Sequence, residues 1–231
     1  MFPNLAISRI DRCRPPTTFP AEILPPVITP QDIFDVVKGI ISTYNTINFN
    51  ELPGQKITFQ LDSRDRKKIN VFIVSNIDEA DFVIHASYYP SGSYKFKNEE
   101  IENGLIINIL KTLDKVFGTH LDTSGIEIDI TGSADFSGFN GEKLKVEDEY
   151  KNKSILVEDI RGGRFQLDDL INGSDYDKNL GLAFLRGYRK QQAILEECSE
   201  INLRYSLQAK VEGQYGSKYR NVKVVLKMKL R

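Results

Sequence analysis

The residue types that could do chemistry in this chain are few, and most of them stand in patterns that chemistry does not use. Asp168-Asp169 and Asp175/Asp177 are adjacent carboxylates of the kind that hold a divalent cation. No histidine or ordered ligand spacing accompanies them, so they read as a solvated loop. His85 lies in an apolar, strand-like run and His120 follows a helix end; each is isolated and reads as a structural or surface residue. Cys13 and Cys198 are far apart, with no CxxC or histidine-rich cluster, which argues against both a disulfide framework and a metal site. Arg161-Gly162-Gly163-Arg164 is too short and too basic for a dinucleotide fingerprint and reads as a hairpin turn. There is no P-loop and no Gly-x-Ser-x-Gly. The expectation is a protein that is not an enzyme and uses no cofactor and no metal.

Two basic clusters remain. Arg64, Arg66, Lys67 and Lys68 are mixed with Asp62 and Asp65, which marks a solvated hairpin tip rather than an anion site. The face carrying Arg186, Arg189 and Lys190 is balanced by Glu196 and Glu197. With a formal net charge of −1 over 231 residues, a nucleic-acid-coating protein is not expected. No apolar run reaches the length needed to cross a bilayer, so no direct membrane insertion is expected.

The elements that must position any site follow from periodicity. Residues 1–28 are aperiodic and carry Pro15, Pro16, Pro20, Pro25 and Pro26, which predicts an extended proline-rich arm. Thr29, Pro30 and Asp32 announce a helix whose buried stripe is Ile33, Phe34, Val37, Ile40, Ile41 and Tyr44. Strands at 56–61 and 69–74 complete a small helix-plus-hairpin module over 29–81. From residue 82 strand and helix alternate: a strand through Phe82, Ile84, Ala86 and Tyr88, a helix over 98–117, and a strand through Ile126, Ile128 and Ile130. The helix stripe is Ile101, Leu105, Ile109, Leu113, Val116 and Phe117. Residues 140–178 are polar, with one short hairpin at 155–160 and 164–167 turning on Gly162-Gly163. A helix over about 179–198 and two alternating strands, 201–211 and 222–230, close the chain. This order predicts an α/β (α+β) fold, a two-layer sandwich with helices packed on one mixed sheet.

Three segments in order resemble the OmpA-like family (the OmpA/MotB C-terminal, peptidoglycan-binding domains). They are Tyr89-Pro90-Ser91-Gly92-Ser93-Tyr94-Lys95-Phe96, then Ile128 through Gly138 with its Gly-x-x-Asp-x-x-Gly core, then Asn179-Leu180-Gly181-Leu182-Ala183-Phe184-Leu185-Arg186-Gly187. Tyr219-Arg220-Asn221-Val222-Lys223-Val224 is a weaker fourth echo. The resemblance covers 82–231 and implies an OmpA-like sandwich that binds the diaminopimelate of peptidoglycan stems. That ligand carries an ammonium and a carboxylate on one carbon, so its site needs an anion and a forked cation held close together. The resemblance assigns the ammonium to Asp135 and the carboxylate to Arg186, with Asn179 bracing the loop or touching the ligand. The sequence departs from the family at Ala134, Ala183 and Gly187, and in the insertion 140–178 beside the pocket.

Two functions compete. One is a non-catalytic OmpA-like binding module that recognises the peptidoglycan stem peptide as the wall anchor of a larger assembly. The alternative is an intracellular structural protein that uses the same fold as a protein–protein scaffold, with the arm and the insertion as contact surfaces. The first thirteen residues lack the apolar run of an export signal. The expected compartment is therefore the periplasm if the chain binds wall and a leader is supplied, and the cytoplasm if Met1 is the true start.

Overall fold

The computed structural model describes residues 28–29, 32–33, 35–37, 39–40, 56–61, 68–74, 89–95, 99–151 and 153–230. Apart from Ile28, the expected arm lies outside them, as does the strand expected over 82–88. The first helix begins where its cap predicts. The Thr29 backbone N–H donates to Asp32 Oδ2 at 2.7 Å and the Asp32 N–H returns to Thr29 Oγ1 at 3.3 Å. Ile33 and Val37, one turn apart, are buried.

Five strands form one mixed sheet in the order β1 (Lys56–Leu61), β2 (Lys68–Val74), β7 (Val222–Leu230), β3 (Leu121–Ala134), β6 (Leu203–Val211). All pairings are antiparallel except β3–β6, which runs parallel from Ile126↔Leu203 to Ala134↔Val211. A parallel pair needs a crossover. Here it contains a short antiparallel hairpin, β4 (Leu156–Glu158) and β5 (Arg164–Gln166), then helices α2 (Leu167–Asn172) and α3 (Asp175–Glu197). Helix α1 (Glu99–Phe117) precedes β3. The hairpin β1–β2, which the sequence groups into a module of its own, joins this sheet through β2–β7.

Strand β3 is apolar on one face only. In β3, Ile126, Ile128 and Ile130 are buried, while Glu127 and Asp129 both lie within reach of Lys227. The apolar face packs on α1 through Leu105, Ile106, Ile109, Leu110, Leu113 and Phe117, and Ile33 and Val37 join the same cluster. Val116 is 47 % exposed and falls outside the stripe expected of it. A second cluster gathers Leu180, Ala183, Phe184 and Leu185 of α3 against Leu144, Val146, Tyr150 and Val157 of the insertion. The insertion is therefore packed onto the fold, not merely attached to it.

Two glycines of β3 make this arrangement attainable. Gly125 sits at φ +67° where the β3–β7 register shifts, and a Cβ there would lie 2.2 Å from the Asn202 carbonyl oxygen. Gly132 faces α3 so closely that a Cβ would lie 1.9 Å from the Ala183 carbonyl oxygen. Gly187 on the facing helix is also close: a Cβ there would lie 2.6 Å from Leu207 Cδ1 and 3.4 Å from the Gly132 nitrogen.

Candidate functional site

Asp135 follows the last residue of β3, and Asn179 and Arg186 are two turns apart on α3. Helix α3 starts earlier than expected because Ser174 caps it. The Ser174 hydroxyl accepts from the Asp177 N–H at 3.3 Å, and the Ser174 N–H donates to Asp177 Oδ2 at 2.8 Å. Asp177 is thus occupied as a cap, and Asn179 lies one turn inside the helix.

Asp135 is 3 % exposed but lines a cavity of about 210 Å3 together with Asn179, Ser137, Glu142, Ser91 and Gly92. Its Oδ2 accepts from the Ser137 hydroxyl at 2.6 Å and the Gly216 N–H at 3.1 Å, and lies 3.7 Å from Arg220 Nη1. Oδ1 takes no hydrogen bond from a described residue, so it is the oxygen left for the cavity. Asn179 Nδ2 donates to the Ser137 carbonyl at 2.8 Å. It braces the loop after β3 while also lining the cavity.

Arg186 is placed differently. It is fully buried and does not line the cavity. Its Nε donates to Ser93 O at 3.0 Å and Nη1 to Ser133 O at 2.7 Å. Nη2 donates to Ser93 O at 2.8 Å and to Pro90 O at 3.3 Å. The guanidinium carbon also stands 4.8 Å from the Tyr89 ring centroid. A guanidinium has five N–H groups, and these contacts use four of them. Burial pushes its pKa down to about 9; Tyr89 offsets part of this, the Arg220 charge adds to it, and Asp135 contributes a smaller offset. At neutral pH it therefore stays a cation, with its hydrogen bonds made to backbone carbonyls. Its structural effect is to tie the 90–93 turn to the end of β3, which shapes two walls of the cavity.

The structure thus brings Asp135 and Asn179 onto one cavity and sets Arg186 behind its walls. The residues that complete the site were harder to single out. Ser137 stands two residues past Asp135, close enough for a local hydroxyl–carboxylate bond. Arg220 falls inside the fourth family-like segment but carried no role until the fold put it beside Asp135. Glu142 belongs to the polar stretch 140–178, where the sequence singled out no ligand-binding residue. The two carboxylates, Asp135 and Glu142, are joined by no lysine or arginine among the described residues lining the cavity.

Beside the cavity a charged clasp fastens the insertion. Arg189 Nη2 reaches Glu99 Oε2 at 3.1 Å, and Arg189 Nη1 reaches Glu147 Oε2 at 3.5 Å. Lys95 pairs with Glu147, whose backbone N–H donates to Tyr94 Oη at 2.9 Å. The clasp links the 94–95 turn, the start of α1, α3 and the insertion.

No family model matches this chain, and no curated protein matches it either. No helix among the described residues is long and apolar enough to cross a membrane.

Proposed function

We propose that this chain is a non-catalytic binding module whose cavity receives the ammonium end of a peptidoglycan stem peptide, anchoring a larger assembly to the wall. The observation that carries this reading is Asp135: a carboxylate 97 % removed from solvent, with one oxygen uncommitted, on a cavity too small for a folded element. Keeping such a charge buried is costly unless something compensates it, and a ligand ammonium would add to what Ser137, Gly216 and Arg220 already supply. Asn179 and the Ser91-Gly92 turn offer neutral polar contacts around it.

The test is co-sedimentation of the intact chain with purified peptidoglycan sacculi. The wild-type chain should pellet with sacculi, and Asp135→Ala should weaken retention by a factor equivalent to about 2–5 kcal/mol. Equal retention of both would defeat the reading.

A second reading is favoured by one specific observation. Arg186, the residue that the resemblance assigns to the ligand carboxylate, spends four N–H groups on backbone carbonyls. A fold that uses its arginine this way serves equally as a protein–protein scaffold without wall binding. In that case neither chain would pellet with sacculi.

A further inference from the structure

We infer that the cavity selects an ammonium whose neighbouring carboxyl is amidated, in preference to the free zwitterionic head group. This inference rests on the binding-module reading and sharpens its ligand. A free head group brings one ammonium and one carboxylate, and the carboxylate needs a donor with positive charge or several converging N–H groups. The described residues lining the cavity include two carboxylates, Asp135 and Glu142, and no lysine or arginine. Arg186 lies behind the walls with four of its N–H groups on Pro90, Ser93 and Ser133 carbonyls, so presenting a fork would mean breaking those bonds in a fully buried place. Arg220 approaches Asp135 at the paired oxygen, Oδ2, and is also absent from the lining. A ligand carboxylate would therefore meet Glu142 with no cation among the described residues that line the cavity.

A carboxamide meets a matching surface instead. The Asn179 side chain uses one N–H on the Ser137 carbonyl, which leaves its second N–H and its carbonyl oxygen as a neutral donor and acceptor at the same wall. An amide can exchange both hydrogen bonds with such a group without bringing charge. The ligand then brings its positive charge to the Asp135 and Glu142 carboxylates without a second carboxylate of its own, and both its polar ends are satisfied.

The test titrates a synthetic stem peptide ending in diaminopimelate onto the intact chain by calorimetry. Two forms are compared: the free acid, and the same peptide with the carboxyl beside the distal ammonium converted to carboxamide. The carboxamide should bind at least about tenfold more tightly. Glu142→Gln should shrink that preference to about threefold or less, chiefly by improving the free acid. Free acid bound as tightly as carboxamide, or more tightly, overturns the inference and leaves the wall-binding reading standing. Absence of binding by both forms overturns the two together.

Discussion

At the scale of single residues, the same side chain serves the fold or the ligand according to where its polar atoms end. Arg186 is the plainest case. Its type and helix position suit a carboxylate clamp, yet its N–H groups end on three carbonyls of the chain itself. Arg186→Lys should therefore cost about 2–4 kcal/mol of stability, because one ammonium cannot satisfy carbonyls spread over two walls. Urea denaturation measures this; a loss below about 1 kcal/mol combined with lost sacculus binding would return Arg186 to the ligand. Gly132→Ala should be as damaging for a different reason. Its Cβ would meet the Ala183 carbonyl at 1.9 Å, and backbone on both sides cannot yield as a side chain can. The expected cost is about 3 kcal/mol, read as a lowered urea midpoint with unchanged slope.

At the scale of elements, the insertion is held by packing and by the clasp through Glu147. The Lys95 ammonium, hydrogen-bonded to the Glu147 carboxylate, is the main reason that its pKa lies below the ordinary glutamate value. A carboxyl with a depressed folded pKa contributes stability that is fully present above the unfolded value of about 4.3 and is lost as the pH falls through the folded value. Glu147→Gln should therefore flatten the acid limb of stability below about pH 5, while the wild-type chain keeps it. Urea midpoints measured across the acid range check this, and an unchanged acid limb would show that the clasp contributes nothing there. The pair is partly exposed, so added salt should weaken it. α3 shows a related economy. Its Ser174–Asp177 capping box uses one of the carboxylates that, read alone, suggest a metal loop.

At the scale of the whole molecule, the sheet unites parts that the sequence separates. β2 borders β7 over its full length, from Lys68↔Lys229 to Val74↔Lys223, and Ile33 and Val37 complete the cluster over α1. A fragment beginning at residue 82 would leave the β7 edge unpaired and uncover that cluster. It should aggregate, or bind a hydrophobic dye, where the full chain does neither. A monodisperse, cooperatively unfolding fragment would establish two independent units.

Much of the architecture was legible because it depends on local rules. The alternation of Val222, Val224, Leu226 and Met228 announces a strand buried on one face, and the Gly162-Gly163 turn announces β4–β5. The Thr29–Asp32 box is readable for the same reason: a cap is set by residues three apart. The Ser174–Asp177 box carried the same signal, hidden by its acidic neighbours. The candidate site was legible only in part. Asp135 and Asn179 could be named from the family resemblance, but Glu142 lines the cavity from the polar stretch after β3 and Arg220 approaches Asp135 from a distant loop without lining it. Which atoms Arg186 would touch was beyond sequence, because its partners are backbone carbonyls, which every residue carries alike. Composition and spacing determined which charges this protein owns; the packing of α3 against Gly132 and the 90–93 turn decided which face a ligand and which hold the walls. A charge is free to act on a ligand only where the fold has left it unsatisfied, and that is a property of three-dimensional neighbours.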